Sequence, residues 1–255
     1  MATGIRRPGE FCWINMLTQR PAQARAFFGE LLGWTYGDIP GLGHLVRGGP
    51  HPIGGLFDIE GPNTPKGTPP EIGVMVKVEN ADAAGERVNS LGGEAAPAFD
   101  IMGNGRMSMC QDPCGARFDL WQPMKQTGTE VDSDLHGAPS WFETLTSDAD
   151  RAARFYSELF GWTPEVMPMP GGTYRAFRLG GENVAGMMQI TPAMGNLTPH
   201  WRTHFTVRDV DEAMREAVRL GGALRTSVKD IPGVGRFCGL ASPHGVEFCV
   251  VQYIR

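Results

Sequence analysis

Apolar and polar positions follow two periods along this chain, and both recur. From about Pro21 to Leu32 the apolar residues Ala24, Phe27, Phe28 and Leu31 fall at i, i+3, i+4 and i+7. From about Ala149 to Phe160 the same spacing is filled by Ala152, Phe155, Tyr156 and Leu159. That period puts one apolar stripe on a helix, the face that packs on a sheet. Asp148 stands where it can cap the second of these helices, and Gly33 and Gly161 stand where each must stop. Two further helices are predicted from about Ala81 to Leu91 and from about Val210 to Leu220, each closed by Gly-Gly. Short segments of alternating polarity, bounded by glycine and proline, lie between them and read as strands. The order is strand, helix, three strands, four times over.

The recurrence is also literal. Trp13–Thr35 and Trp141–Thr163 lie at an offset of 128 residues, and 10 of their 23 positions are identical. Ile53–Gly55 matches Val184–Gly186, residues 74–93 match 203–222, and residues 100–122 match 230–252. A duplication on this scale fixes the architecture before any single residue is weighed. It predicts an α+β fold of four βαβββ modules in two tandem domains, 1–122 and 140–255, forming cupped mixed β-sheets. A polar linker without periodicity, 123–139, joins them.

Composition narrows the function. The net charge of −5 lacks the basic stripe a nucleic-acid surface needs. No apolar run is long enough to span a bilayer, and the opening MATGIRRPGEF has no apolar core of a leader, so a cytoplasmic location is expected. Five cysteines, with Cys110 and Cys114 off the C-x-x-C spacing, read as free thiols. The glycine-rich stretches at Gly41–Gly43 and Gly103–Gly105 lack the strand–turn–helix context of a nucleotide fingerprint. The expectation is no cofactor, a small-molecule partner, no membrane or nucleic-acid partner, and a monomer or homodimer.

Strand alternation sorts the polar residues by face. If Trp141 faces the concave side, so does Glu143; with Arg202 go His200 and His204, and with Cys249 goes Glu247. The first half offers Trp13, Asn15, Met75, Lys77, Arg117, Asp119 and Trp121. Glu143, His204 and Arg202 are the candidates for chemistry: His or Glu as a base, Arg to hold an anion or enolate. An ion-paired sheet face is the alternative reading of the same residues. Trp141 and Trp13 can serve as flat walls for a planar ligand or as core filling. Asp119, Glu247 and Arg236 are candidate binding residues; Arg236 recurs as Arg106, so it is either a carboxylate clamp or a shared structural bridge. His200 and His204, four apart on a strand, are about 13 Å from each other and cannot share one ion.

Three motifs carry a resemblance: the Asp148–Trp162 segment ending Leu-Phe-Gly-Trp, Val-Arg-Asp-Val-Asp at 207–211, and Ser-Pro-His-Gly at 242–245. In them the chain resembles a tandem member of the vicinal-oxygen-chelate superfamily, which includes glyoxalases, extradiol dioxygenases and bleomycin-binding proteins. It is similar in particular to actinobacterial tandem proteins named as hydroxylases or glyoxalase-family members. The resemblance implies a divalent metal held by three residues per domain. The corresponding positions here are Trp141, Arg202 and Cys249, and Trp13, Gly73 and Asp119. Neither set is a triad, so no metal is expected. Three functions remain open. The first is a metal-independent enzyme, hydroxylase or glyoxalase/lyase-like, acting on a planar or carbonyl-bearing metabolite. The second is a non-catalytic binding or sequestration protein of the bleomycin-resistance type. The third is a metal-dependent glyoxalase or dioxygenase with atypical ligands.

Overall fold

The computed structural model describes residues 4–254 apart from 62, 63, 65, 170 and 171. The first half contains β1 (Phe11–Thr18), α1 (Pro21–Leu32), β2 (Trp34–Ile39), β3 (Gly43–Gly48) and β4 (His51–Asp58). It continues with β5 (Glu71–Lys77), α2 (Ala81–Ser90), β6 (Glu94–Ala95), β7 (Phe99–Asp100), β8 (Gly105–Gln111) and β9 (Arg117–Pro123). The second half contains β10 (Pro139–Thr146), α3 (Ala149–Phe160), β11 (Thr163–Met169), β12 (Gly172–Leu179) and β13 (Glu182–Gln189). It ends with β14 (His200–Thr206), α4 (Val210–Arg219), β15 (Ala223–Ile231), β16 (Gly235–Ala241) and β17 (Glu247–Tyr253). All four predicted helices form at the expected places. Asp148 accepts from the Arg151 amide, and Gly33 and Gly161 close their helices in the left-handed conformation.

Each half makes one sheet. The strand orders are β2-β3-β4-β1-β5-β9-β8-β6, with β7 also on β8, and β11-β12-β13-β10-β14-β17-β16-β15. Two consecutive modules therefore meet at the centre of each sheet, through the antiparallel pairs β1–β5 and β10–β14. Each cup is built within one half.

The halves share a core nonetheless. Ile14, Met16 and Thr18 are buried on one face of β1, while Trp13, Asn15 and Leu17 on the other are half-buried. The buried faces of the two sheets meet back to back, with Phe11 stacked on Phe142 at 4.2 Å between ring centroids. Helices cross over: Phe27 and Phe28 of α1 pack on Phe248 of the second half, and Tyr156 of α3 donates to Asp112 of the first at 2.8 Å. One contiguous apolar core results, and it leaves both cups facing away from it.

Segment 124–138 is no passive spacer. The Thr129 amide donates to the Cys12 carbonyl at 2.8 Å, and Arg6 and Lys77 donate to the carbonyls of Val131 and Thr127. Val131 and Ala138 are fully buried. The segment straps one end of the first cup because it satisfies backbone and cationic groups that would otherwise be buried without partners. Its polar composition hid this.

The duplication also fastens the halves reciprocally. The Trp34 indole donates to the Gly137 carbonyl at 2.8 Å, and the Trp162 indole donates to that of Gly9, the matching residue, at 2.8 Å. Gly137 has φ +80°, and a Cβ there would lie 2.1 Å from the Leu32 carbonyl oxygen. Left-handed strain and overlap together make Gly137→Ala expected to cost roughly 2–4 kcal/mol, read by urea denaturation.

Candidate functional site

The second cup gathers four of the predicted residues. Strand register places Trp141 beside His204 and His204 beside Cys249, and the next row places Glu143 beside Arg202. All five project to the concave face, while Phe205 points into the shared core. Glu143 is buried at 6% exposure and forms an ion pair with Arg202 at 2.5 Å. Burial opposes the Arg202 charge, but Glu143 outweighs it and holds the guanidinium above its ordinary range. Arg202 Nε has no partner.

His204 is buried at 5% exposure, its ring 5.8 Å from that of Phe237. Desolvation pulls it down to about 4, with Glu143 opposing and Arg202 reinforcing the shift. It is neutral at pH 7, and its Nε2 has no partner. Two buried polar atoms without partners, an imidazole nitrogen and a guanidinium N–H, therefore lie beneath the cup on β14, the strand next to that of Trp141. A buried polar atom without a partner costs free energy that a ligand or solvent can return.

Tyr174 was not anticipated. It reaches from β12 across Gly186, where a Cβ would lie 1.7 Å from its hydroxyl. The Trp141 indole donates to that hydroxyl at 2.8 Å, and the hydroxyl donates on to Glu143. Desolvation and the adjacent Glu143 raise the phenol well above its ordinary range, so it remains a donor. Trp141, Tyr174, Glu143 and Arg202 thus form one chain of hydrogen bonds that fixes the wall and the ion pair together. The matching Gly55 of the first half would clash at 2.4 Å with the Phe57 ring. The glycine recurs, but the ring over it comes from the same strand in the first half and from a neighbouring strand in the second.

Two predicted binding residues lie outside the second cup's floor. Glu247 is exposed at the first position of β17 and pairs with Arg225 at 2.8 Å. Arg236 belongs to the opposite face, because Phe237 next to it is the residue that meets His204; it pairs with Asp211 of α4 at 2.5 Å and with Asp230. Arg106 pairs with Asp82 of α2 in the same way. Of the two readings of Arg236, clamp or bridge, its pairing agrees with the bridge: strand parity turns it to the helices, where it joins sheet and helix. His200 is held by the Thr198 carbonyl at 2.7 Å.

Trp13 and Asp119 belong to the first cup, in the row Trp13, Met75, Asp119, Met109. Burial, then repulsion from Glu71, push the Asp119 carboxyl up to about 7, with Asn15 and Arg117 opposing.

A divalent metal does not fit the donor set of the second cup. Trp141 offers an indole, Arg202 a full positive charge, and Cys249 a thiol that burial pushes up to about 12. In the first cup, Asp119 stands with Trp13 and Gly73, which supply no ligand. Among the described residues no group of three or more His, Cys, Asp or Glu could hold a metal ion. No helix among them is long and apolar enough to cross a membrane.

Known proteins bear on this geometry. A family model described as a glyoxalase-like domain matches residues 141–251. The chain is 33% identical to a Mycobacterium tuberculosis protein provisionally named glyoxylase CFP32, over 96% of this chain and 95% of that protein. It is 32% identical to the anthracycline biosynthesis protein DnrV of Streptomyces peucetius, over 96% and 94%. Among solved structures it is similar to the Mn(II)-bound glyoxalase from Novosphingobium aromaticivorans, with TM-score 0.66 and 14% identity over 100% of this chain and 84% of that one. It is similar also to 2,2',3-trihydroxybiphenyl 1,2-dioxygenase from Sphingomonas wittichii, with TM-score 0.65 and 13% identity over 97% and 90%. At those identities the structural likeness is one of fold.

Proposed function

The chain belongs to the glyoxalase-like family of the vicinal-oxygen-chelate superfamily, and within that family we propose that it is a metal-independent enzyme acting on a flat, carbonyl-bearing small molecule in its second cup. The observation that carries this reading is the pair of unpartnered buried atoms, His204 Nε2 and Arg202 Nε, beside Trp141. A flat ligand stacks on the indole. Its carbonyl oxygen accepts from Arg202. His204, neutral and with a free nitrogen, takes a proton from the carbon next to the carbonyl: the C–H bond breaks, an N–H bond forms, and the negative charge moves to the oxygen held by the guanidinium. Return of the proton to another carbon completes an isomerisation without a redox partner. A relative named for anthracycline biosynthesis supports a flat substrate, and one named glyoxylase supports proton transfer.

The tie between Glu143, Arg202 and Tyr174 favours a second reading. It leaves the cup no free carboxylate, as in a site that binds its ligand without transforming it.

Deuterium exchange separates the two readings. Incubated with 1-tetralone in heavy water, the wild-type protein is expected to accelerate exchange at the carbon next to the carbonyl. His204→Leu is expected to lose that acceleration by about 10²-fold or more while retaining affinity, and Trp141→Ala to lose affinity. Binding without exchange would leave sequestration as the function. Exchange unaffected by His204→Leu would exclude His204 as the base.

A further inference from the structure

The two cups occupy matching places in a duplicated fold, so each is a control for the other. Where the second cup has the row Trp141, His204, Cys249, the first has Trp13, Met75, Asp119. Cys249 is a neutral thiol in the place of Asp119, so the fold does not require a carboxyl there. Asp119 is half-buried and open to the cup. The Asn15 amide lies beside it and also donates to Met75 Sδ at 3.4 Å.

The surroundings of Asp119 suit an uncharged ligand. The charged groups that face it are Glu71 of β5 and Arg117 of its own strand, and these neutralise each other in an ion pair at 2.8 Å. From β8 the residue in the Asp119 row is the uncharged Met109, while the neutral thiol of Cys110 turns to the main core. From β1 the facing group is the neutral Asn15. Beside this polar set lies a separate apolar cluster of Met75, Trp121, Met107 and Trp13, distinct from the main core. Its thioethers can adapt to a flat surface. Gly73 contributes no side chain to the floor between Asn15 and Asp119, and a Cβ there would meet nothing closer than 3.6 Å. A mostly apolar concavity with a few convergent polar groups is the usual make-up of a small-molecule site.

We propose that the first cup is a second, separate ligand site, in which Asp119 in its protonated form donates a hydrogen bond to the carbonyl oxygen of a flat, uncharged aromatic ligand stacked on Trp13. The site stands independently of the chemistry assigned to the second cup. Two cups of different polarity then hold two different ligands rather than duplicating one site. Raising the pH removes the donor and sets a carboxylate against the carbonyl oxygen, so binding weakens as Asp119 loses its proton.

Flavone is a suitable probe because it is flat, carbonyl-bearing and free of titrating groups. Its affinity is measured by calorimetry on the whole protein at several pH values. For wild type and for Trp141→Ala, affinity is expected to fall about tenfold or more between about pH 5.5 and about pH 8.5. Asp119→Asn keeps a donor at every pH and is expected to bind equally at both. Glu71→Gln is expected to retain the dependence with a lower midpoint, since the repulsion from Glu71 is gone, and Trp13→Ala is expected to bind weakly throughout. Four results overturn the proposal: no binding of flavone, pH-independent binding by wild type, pH dependence surviving in Asp119→Asn, or binding abolished by Trp141→Ala instead of Trp13→Ala. Disappearance of the dependence in Glu71→Gln assigns the proton to Glu71 and also overturns it.

Discussion

Asp119→Asn is expected to stabilise the protein, and to do so increasingly as the pH rises. In the unfolded chain this carboxyl has its ordinary value of 3.8, and in the fold it is pushed up to about 7. A folded-state value above the unfolded one means that stability is full below about pH 3.8 and is lost as the pH rises through about 7. The gap corresponds to about 4 kcal/mol once both states are ionised. Asparagine removes that cost, with some loss for the exchanged hydrogen bonds. The advantage of Asp119→Asn over wild type, measured by urea denaturation, is expected to grow by about 3 kcal/mol between pH 4.5 and pH 8.5. An advantage that does not change with pH would mean that Asp119 ionises as readily in the fold as outside it. Stabilisation of that size would mean that the carboxyl costs the fold free energy that an uncharged side chain there would not.

Arg202→Met is expected to have the opposite sign and a comparable size. It strands Glu143, 6% exposed, among Trp141, Tyr174 and His204 without its cation. Removing one partner of a buried pair costs about 3–5 kcal/mol, whereas replacing both by neutral groups of similar volume is often close to neutral. The double variant Glu143→Gln/Arg202→Met is therefore expected to recover most of the loss. Urea denaturation at pH 7 of the two singles and the double closes the cycle. A loss below about 1 kcal/mol for Arg202→Met would place the pair in the class of solvated surface bridges. The double variant also tests function, because it removes the guanidinium that holds the carbonyl oxygen while sparing the fold.

The scaffold was legible because duplication writes every scaffold signal twice. The helix stripe of Phe27, Phe28 and Leu31 is repeated by Phe155, Tyr156 and Leu159, and the glycines that stop the helices recur with it. Parity alone placed Trp141, Glu143, Arg202 and His204 on one face, since alternation along a strand is a local property. Whatever depends on contacts between distant strands was hidden. Tyr174 reaches its partners only because β12, β13 and β10 lie side by side, and nothing near residue 174 reveals that order. Arg236 recurs with Arg106 in the sequence, but recurrence does not say which face a residue takes. The pairing with Asp211 does. The strap at 124–138 bonds through backbone carbonyls to buried Arg6 and Lys77, a role that composition does not record.

Both cups retain the curled sheets of a metal-binding superfamily, but the chelating positions hold an indole, a guanidinium and a thiol in the second cup, and an indole, a glycine and a lone carboxyl in the first. Manganese binding tests this most directly, because the solved glyoxalase to which the chain is similar holds Mn(II). Untagged protein in molar excess is titrated with Mn(II) at neutral pH, and free Mn(II) is read by electron paramagnetic resonance. Added Mn(II) is expected to stay free, and chelator-treated protein is expected to exchange 1-tetralone as fast as untreated protein. One tightly bound Mn(II) per chain, or exchange that a chelator abolishes and Mn(II) restores, would contradict metal independence.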